Sequence, residues 1–274
     1  MNTPYVIYSL FAFVFGAVVG SFLNVCICRV PHDQSVVSPP SRCPKCDYRI
    51  RWYDNIPLFS YLLLRGKCRG CQAPISIQYP LVELLNGLLT LALFLRFLPE
   101  RLLANAPMEI VVRQGLIFAL LFIFCSALVV VTFIDLEHQI IPDSITLPGI
   151  VIGFIASFFI PQLGWMNSLI GIVAGGGSLL LIAYGYELVA KKEGMGGGDV
   201  KLLAMMGAFL GWKGVIFIIF SASLIGSVIG VGLMLAKNKD GTLAIPFGPF
   251  LATGAVIYIF YGRSIIHWYL SMGS

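Results

Sequence analysis

Apolar runs of bilayer-spanning length recur along this chain. Residues 5–27, 81–98, 116–134, 145–160, 169–189 and 245–261 are such runs, and residues 202–236 form a longer one. A helix needs about 20 predominantly apolar residues to cross the hydrocarbon core. Within that core every backbone polar group must be hydrogen-bonded internally. The expected fold class is therefore an all-α polytopic membrane protein. Gly211-Trp212-Lys213-Gly214 interrupts the longest run. That run reads as two short helices or as one helix with a re-entrant partner, giving seven or eight transmembrane helices. Only 11% of the residues are charged, against about 25% in a soluble domain, too few to cover a water-facing surface. The first run has no basic residue before it and no small-residue cleavage site after it, so it reads as a retained helix rather than a secretory signal.

Charge sets the expected orientation. Between residues 29 and 78 lie Arg29, Arg42, Lys45, Arg49, Arg51, Arg65, Lys67 and Arg69, opposed by Asp33, Asp47 and Asp54. The excess equals the net charge of +5 of the whole chain. The positive-inside rule makes this loop cytoplasmic. Counting spans forward puts residues 99–113 outside, 135–143 inside, 162–167 outside and 190–201 inside. Two aspartate-bearing segments then share the cytoplasmic face.

The basic loop carries Cys43-Pro-Lys-Cys46 and Cys68-Arg-Gly-Cys71. Two Cys-x-x-Cys pairs about twenty residues apart match a four-thiolate structural Zn2+ site. An insert this small builds little core of its own, so a metal staple is physically reasonable. Two disulfides are the alternative, but they need an oxidising compartment. Cys26, Cys28 and Cys125 lie in apolar runs and read as packing residues.

Asp135 directly follows an uncharged run, residues 122–134, and opens a segment that also holds Glu137, His138 and Asp143. A carboxylate so close to hydrocarbon is a functional candidate, whereas Glu137 and His138 read as solvated interfacial residues. Asp199 follows Gly194, Gly196, Gly197 and Gly198, which allow a sharp bend or a close approach. A plain interfacial turn explains that stretch equally well. Two aspartates held close in a partly desolvated site share one proton. One is then a base for water and the other an acid toward a peptide carbonyl, which is aspartyl protease chemistry. No Gly-x-Ser-x-Gly or His-Glu-x-x-His occurs.

Several long motifs, in order over residues 16–255, resemble the type IV prepilin peptidases. "GMGGGDVKLLAMMGAFLGW" resembles their Gly-x-Gly-Asp block and "FIDLEHQIIPDSITLP" their first-aspartate block. "GSFLNVCICRVP", "PPSRCPKC" and "QYPLVELLNG" resemble their amino-terminal cytoplasmic region. The resemblance implies a bifunctional enzyme of the bacterial inner membrane. Such an enzyme cuts the leader from prepilins or type II secretion pseudopilins at the cytoplasmic face. It then methylates the new amino terminus with S-adenosyl-L-methionine. It implies Asp135 and Asp199 as the catalytic pair, with Asp143 as rival for the first role, and Cys43, Cys46, Cys68 and Cys71 as zinc ligands. Glu83, Asn24 and Arg29 are candidates for contacting the cofactor or the substrate amine; an interfacial ion pair with an arginine is the alternative for Glu83. The expected organisation is a first transmembrane helix (1–28), a cytoplasmic, basic, zinc-binding, methyltransferase-associated region (29–79) and a multi-span aspartyl peptidase domain (80–274). The expected partners are prepilin or pseudopilin precursors and the lipid bilayer, with no nucleic acid. A transporter using interfacial aspartates as cation sites is the alternative from another class; it would place its carboxylates near the midplane of repeated halves.

Overall fold

The computed structural model describes residues 3–160, 163–190, 196–237 and 245–271. Nine α-helices form among them: α1 (Thr3–Arg29), α2 (Phe59–Leu63), α3 (Gln78–Phe97), α4 (Glu100–Asn105), α5 (Met108–His138), α6 (Asp143–Ser157), α7 (Trp165–Ala190), α8 (Gly197–Lys237) and α9 (Gly248–Ser271). No strand occurs among the described residues, only two isolated bridges between residues 42 and 74. Five helical segments are long and apolar enough to cross a membrane, and those at Asp143–Ser157 and Gly248–Gly262 are shorter and apolar. The expectation of an all-helical, multi-pass membrane protein with a cysteine-bearing insert between its first two spans holds. Gly194, Met195 and Gln162, which figured in the sequence reading, lie outside the described residues.

The chain divides into two compact units, Met1–Val130 and Val131–Ser274. In the first, α1 packs along α3 at backbone distance. A Cβ on Gly16 would lie 2.3 Å from Thr90 Oγ1, and one on Gly20 would lie 2.8 Å from Glu83 Cα. Asn86 Nδ2 donates to the Gly16 carbonyl at 2.7 Å, and Ser126 Oγ donates to Asn86 Oδ1 at 3.0 Å. Such small and polar residues hold helices together where the surroundings are as apolar as the side chains. Tyr5, Ala12, Phe94 and Leu98 pack into a cluster with Phe118 beside it. By contrast Phe11, Leu10 and Val18 remain exposed, as expected for a lipid-facing surface.

The second unit is built on α7 and α8. A Cβ on Gly207 would sit 2.1 Å from the Gly171 carbonyl oxygen, and one on Gly175 would sit 2.5 Å from that of Leu203. Backbone therefore touches backbone along this seam. Ser168 Oγ donates to the Ala208 carbonyl at 2.8 Å. Three residues later Gly211 leaves the helical conformation, at φ 72° and ψ 177°, which only glycine adopts readily. The interruption expected at 211–214 is thus a break within α8, not a loop. Leu202, Leu203, Met205, Met206, Ile218 and Leu251 are fully buried and form the centre of this unit.

Replacement of Gly207 by valine forces α7 and α8 apart. Overpacking of this kind costs about 1–3 kcal/mol. Thermal unfolding of the purified protein in detergent should show a clearly lowered midpoint, and Gly177→Ala, where a Cβ meets nothing within 4 Å, should leave it unchanged.

Candidate functional site

Asp135 lies in the last turn of α5. Its own carbonyl accepts the N–H of Gln139 at 2.9 Å, and Gln139 ends the helix in the left-handed conformation, at φ 55°. The chain then turns through Ile141 into Pro142, which precedes α6. Asp199 is in the first turn of α8, its N–H bonded to the Gly196 carbonyl at 3.2 Å. The two ends meet around Ile141. A Cβ on Gly198 would lie 2.8 Å from Ile141 Cβ, and one on Gly248 would lie 3.4 Å from Ile141 Cδ1. Gly198 and Gly248, both without side chains, thus let α8 and α9 start against the α5–α6 link.

The side chain of Asp135 is 5% exposed and accepts the backbone N–H of Gly248 at 3.0 Å on Oδ2. Asp199 comes to the same junction from α8, since a Cβ on the neighbouring Gly198 would lie 2.8 Å from Ile141, against which Gly248 also packs. The Oδ1 of Asp199 is buried with no hydrogen-bond partner among the described residues. Asp143 differs. It is exposed at the start of α6, and both its oxygens accept from Lys201 Nζ at 2.7 Å. The structure therefore brings Asp135 and Asp199 together and commits Asp143 to a surface ion pair. Glu137 is exposed, with the His138 ring 3.9 Å from its carboxylate. The role of Gly248 escaped sequence reading; its only signal is the Gly248-Pro249 step that opens the last helix.

The four cysteines converge in the first unit. Their Sγ atoms all lie within 4.8 Å of one another, with Cys43 to Cys71 at 3.9 Å and Cys46 to Cys68 at 4.0 Å. A disulfide needs about 2.05 Å, so these are thiols disposed around a common centre. Two alike turns present them. In the first, Cys43 N–H bonds the Tyr48 carbonyl and Asp47 N–H bonds that of Cys43; in the second, Cys68 and Gln72 repeat the pattern with Ala73 and Cys68 as acceptors. The residue after each second cysteine, Asp47 or Gln72, has φ near the left-handed region at 54° or 57°. Backbone N–H of Lys45, and then of Cys46, draws the Cys43 thiol down to about 7. The residues present fit a single metal ion bound by four thiolates. Arg69 clamps Asp54 beside them through Nε and Nη2, at 2.9 and 2.7 Å.

The remaining candidates separate. Glu83, 7% exposed, accepts the N–H of Leu58 at 2.8 Å, and Leu58 is held at φ 61°. No arginine pairs with it among the described residues, so the ion-pair alternative is not realised there. Asn24, 6% exposed, donates to the carbonyls of Gly20 and Tyr79 at 3.3 and 3.1 Å, on the same α1–α3 seam. Arg29 is elsewhere in use: it braces the turn after α1 through the carbonyls of Ser35 and Pro39 at 2.8 and 2.7 Å. Ser21 and Asn55, bonded at 3.3 Å, join the Glu83 region and were not singled out from the sequence.

Comparison with known proteins identifies the family. Residues 14–97 match the model of the bacterial peptidase A24 N-terminal domain, and residues 122–231 that of the type IV leader peptidase family. The chain is 39% identical to a prepilin leader peptidase/N-methyltransferase of Aeromonas hydrophila, covering 98% of this chain and 95% of that protein. A protein of the same name from Myxococcus xanthus (strain DK1622) is 43% identical over 86% of this chain and 66% of its own length. Another, from Aeromonas salmonicida (strain A449), is 37% identical over 98% of this chain and 95% of its own. No solved structure matches the chain. With two family models covering most of its length and relatives of this identity end to end, the chain belongs to the type IV leader peptidase family, A24.

Proposed function

We propose that this chain is a bifunctional enzyme of the bacterial inner membrane. It removes the leader peptide from type IV prepilins or type II secretion pseudopilins at the cytoplasmic face. It then N-methylates the newly exposed residue with S-adenosyl-L-methionine. The observation that carries this reading is the convergence of Asp135 and Asp199 from two helix ends, in a chain whose relatives are named prepilin leader peptidase/N-methyltransferase. The orientation follows from the basic loop before α3. In this reading residues 29–79, together with the adjoining Asn24 and Glu83, serve methyl transfer, and the multi-span region of residues 80–274 otherwise serves cleavage.

Two carboxyls gathered at one junction of helix ends, one of them buried, carry one proton between them in this reading. The ionised partner deprotonates a water and the protonated one activates the scissile carbonyl. For the cysteine cluster, zinc suits the donors: a tetrahedral site with Zn–S of about 2.3 Å places sulfurs about 3.8 Å apart, close to the 3.9 and 4.0 Å observed. Held by Cys43, Cys46, Cys68 and Cys71, zinc would cross-link the two turns as a structural ion. S-adenosyl-L-methionine supplies an electrophilic methyl group when bound. The carboxylate of Glu83 and the amide of Asn24 are acceptors that fit an ammonium group on either the cofactor or the substrate.

In a cleavage assay on a purified prepilin, Asp135→Asn and Asp199→Asn should each lose about 10²–10⁴-fold in rate. Asp143→Asn breaks only an exposed ion pair, worth about 0–1 kcal/mol, and should keep most of its activity. Full activity in Asp199→Asn would remove the aspartyl mechanism.

Elemental analysis should find one zinc per chain in the wild type. Cys43→Ser and Cys68→Ser should lose it, and protease digestion should then cut within residues 41–75. Metal content unchanged by either substitution would rule out this site.

Glu83→Gln should abolish methylation of the cleaved product while leaving cleavage within about a few-fold of wild type, since truncating a group used only in one step affects that step alone. Mass spectrometry of the product reports both steps at once, and equal loss of both would count against an amine-binding role.

A further inference from the structure

The reading of Asp135 and Asp199 as the catalytic pair does not say which begins ionised, but their surroundings are unequal. Asp135 accepts the N–H of Gly248 on Oδ2 at 3.0 Å. Gly248 is the first residue of α9, so its N–H is one of those a helix leaves without an internal acceptor, and the positive end of the helix faces the same oxygen. The rest of that first turn is otherwise engaged. Pro249 has no N–H, and those of Phe250 and Leu251 bond the Phe247 carbonyl at 3.0 and 3.2 Å. The approach depends on the missing side chain, because a Cβ on residue 248 would lie 2.6 Å from Asp135 Oδ2 and 3.3 Å from its Cγ.

Asp199 receives no such bond from the described residues. Its Oδ1 is buried without a partner among the described residues, an arrangement far less costly for a neutral acid than for an anion. The first turn of α8 also favours an anion at Asp199, and the last turn of α5 disfavours one at Asp135. These are diffuse fields, however, whereas a hydrogen bond to an ionised acceptor is roughly twice as strong as one to a neutral acceptor. Among the described residues at this end, Asp143 and Lys201 are paired with each other at the surface, and Glu137 is exposed with the His138 ring 3.9 Å from its carboxylate.

We propose that Gly248 is a positioning residue that fixes the negative charge on Asp135 and leaves the shared proton on Asp199. Asp135 Oδ1 takes a proton from the water whose oxygen bonds to the scissile carbonyl carbon, and Asp199 gives its proton to the carbonyl oxygen. When the resulting diol collapses, the C–N bond breaks. Asp135 passes its proton to the leaving nitrogen, and Asp199 recovers one from a diol hydroxyl, restoring the starting state. The assignment rests on the catalytic-pair reading and deepens it.

Two small reagents applied to the purified full chain in detergent distinguish the carboxyls. A 1,2-epoxide reacts with an ionised carboxylate: the oxygen bonds to a ring carbon, the ring C–O bond opens and the alkoxide takes a proton from water. A diazoacetyl ester reacts with a protonated carboxyl, which protonates the diazo carbon; dinitrogen leaves and an ester forms. Peptide mass mapping should find the epoxide adduct on Asp135 and the diazo adduct on Asp199. In Gly248→Ala, kcat for cleavage should fall about a hundredfold with little change in KM, the effect of displacing a reacting group by about 1 Å, and the epoxide should lose its preference for Asp135. An epoxide adduct on Asp199, on both residues equally or on neither overturns the charge assignment without recourse to any variant. Unchanged labelling in Gly248→Ala overturns the role of Gly248. Because Asp135→Asn and Asp199→Asn test the pair separately, two inactive variants alongside the wrong adduct discard this assignment and keep the pair.

Discussion

Hydrocarbon leaves a peptide group no partner but another peptide group or a neighbouring side chain. Within the membrane-spanning segments, uncommitted N–H and C=O groups therefore belong to the ends and breaks of the helices. The proposed chemistry is gathered where that constraint relaxes. Asp135 is in the last turn of α5, Asp199 in the first turn of α8, and Gly248 at the first position of α9. Each lies where a helix begins or ends, and the link carrying Ile141 gathers all three. One turn deeper, α5 carries Val130 and Val131 instead, which are 3% and 0% exposed.

The same close approach of backbones serves both units for different ends. Between α7 and α8 it supplies rigidity, because Gly171 and Gly207 permit no alternative spacing. Between α1 and α3 it brings Gly20 against Glu83 and so carries a carboxylate to a place where the Leu58 amide can reach it. The insert that contains Leu58 is in turn organised by the two cysteine turns. Burial of Cys43 and Cys68, with Cys46 and Cys71 exposed, orients that cluster half inward.

Apolar runs announced most of the helices because lipid imposes length and composition together. The break at Gly211 was legible because glycine, a charge and an aromatic interrupt an apolar run. The cysteine cluster was legible because thiolate ligands recur at a spacing set by tight turns. What could not be read is contact between distant segments. Gly248 resembles any helix start; only the approach of α9 to Asp135, across 113 positions, gives it a role. Asp135 and Asp143 occupy one short segment, and spacing could not separate them. Their separation comes from facing: Asp135 is still inside α5 and turned inward, whereas Asp143 opens α6 beside Lys201. The short helix α4, in a stretch taken as a connection, has too few residues to show a period.

A break inside a helix strands the carbonyls of the turn before it, and α8 has such a turn ahead of Gly211. The Ala208 carbonyl in that turn is satisfied from outside, by Ser168 of α7, one helical turn from the contact of Gly171 with Gly207. A smooth pair of apolar helices could slide or swivel past each other at little cost. Here a slip of α7 by one residue would unseat the hydroxyl from its carbonyl and drive the Gly171 backbone into a bulkier neighbour in the same motion. The notch at Gly211 thus acts as a detent. It fixes the axial register of α7 against α8, and with it the height at which Asp199 emerges from the far end of the same helix.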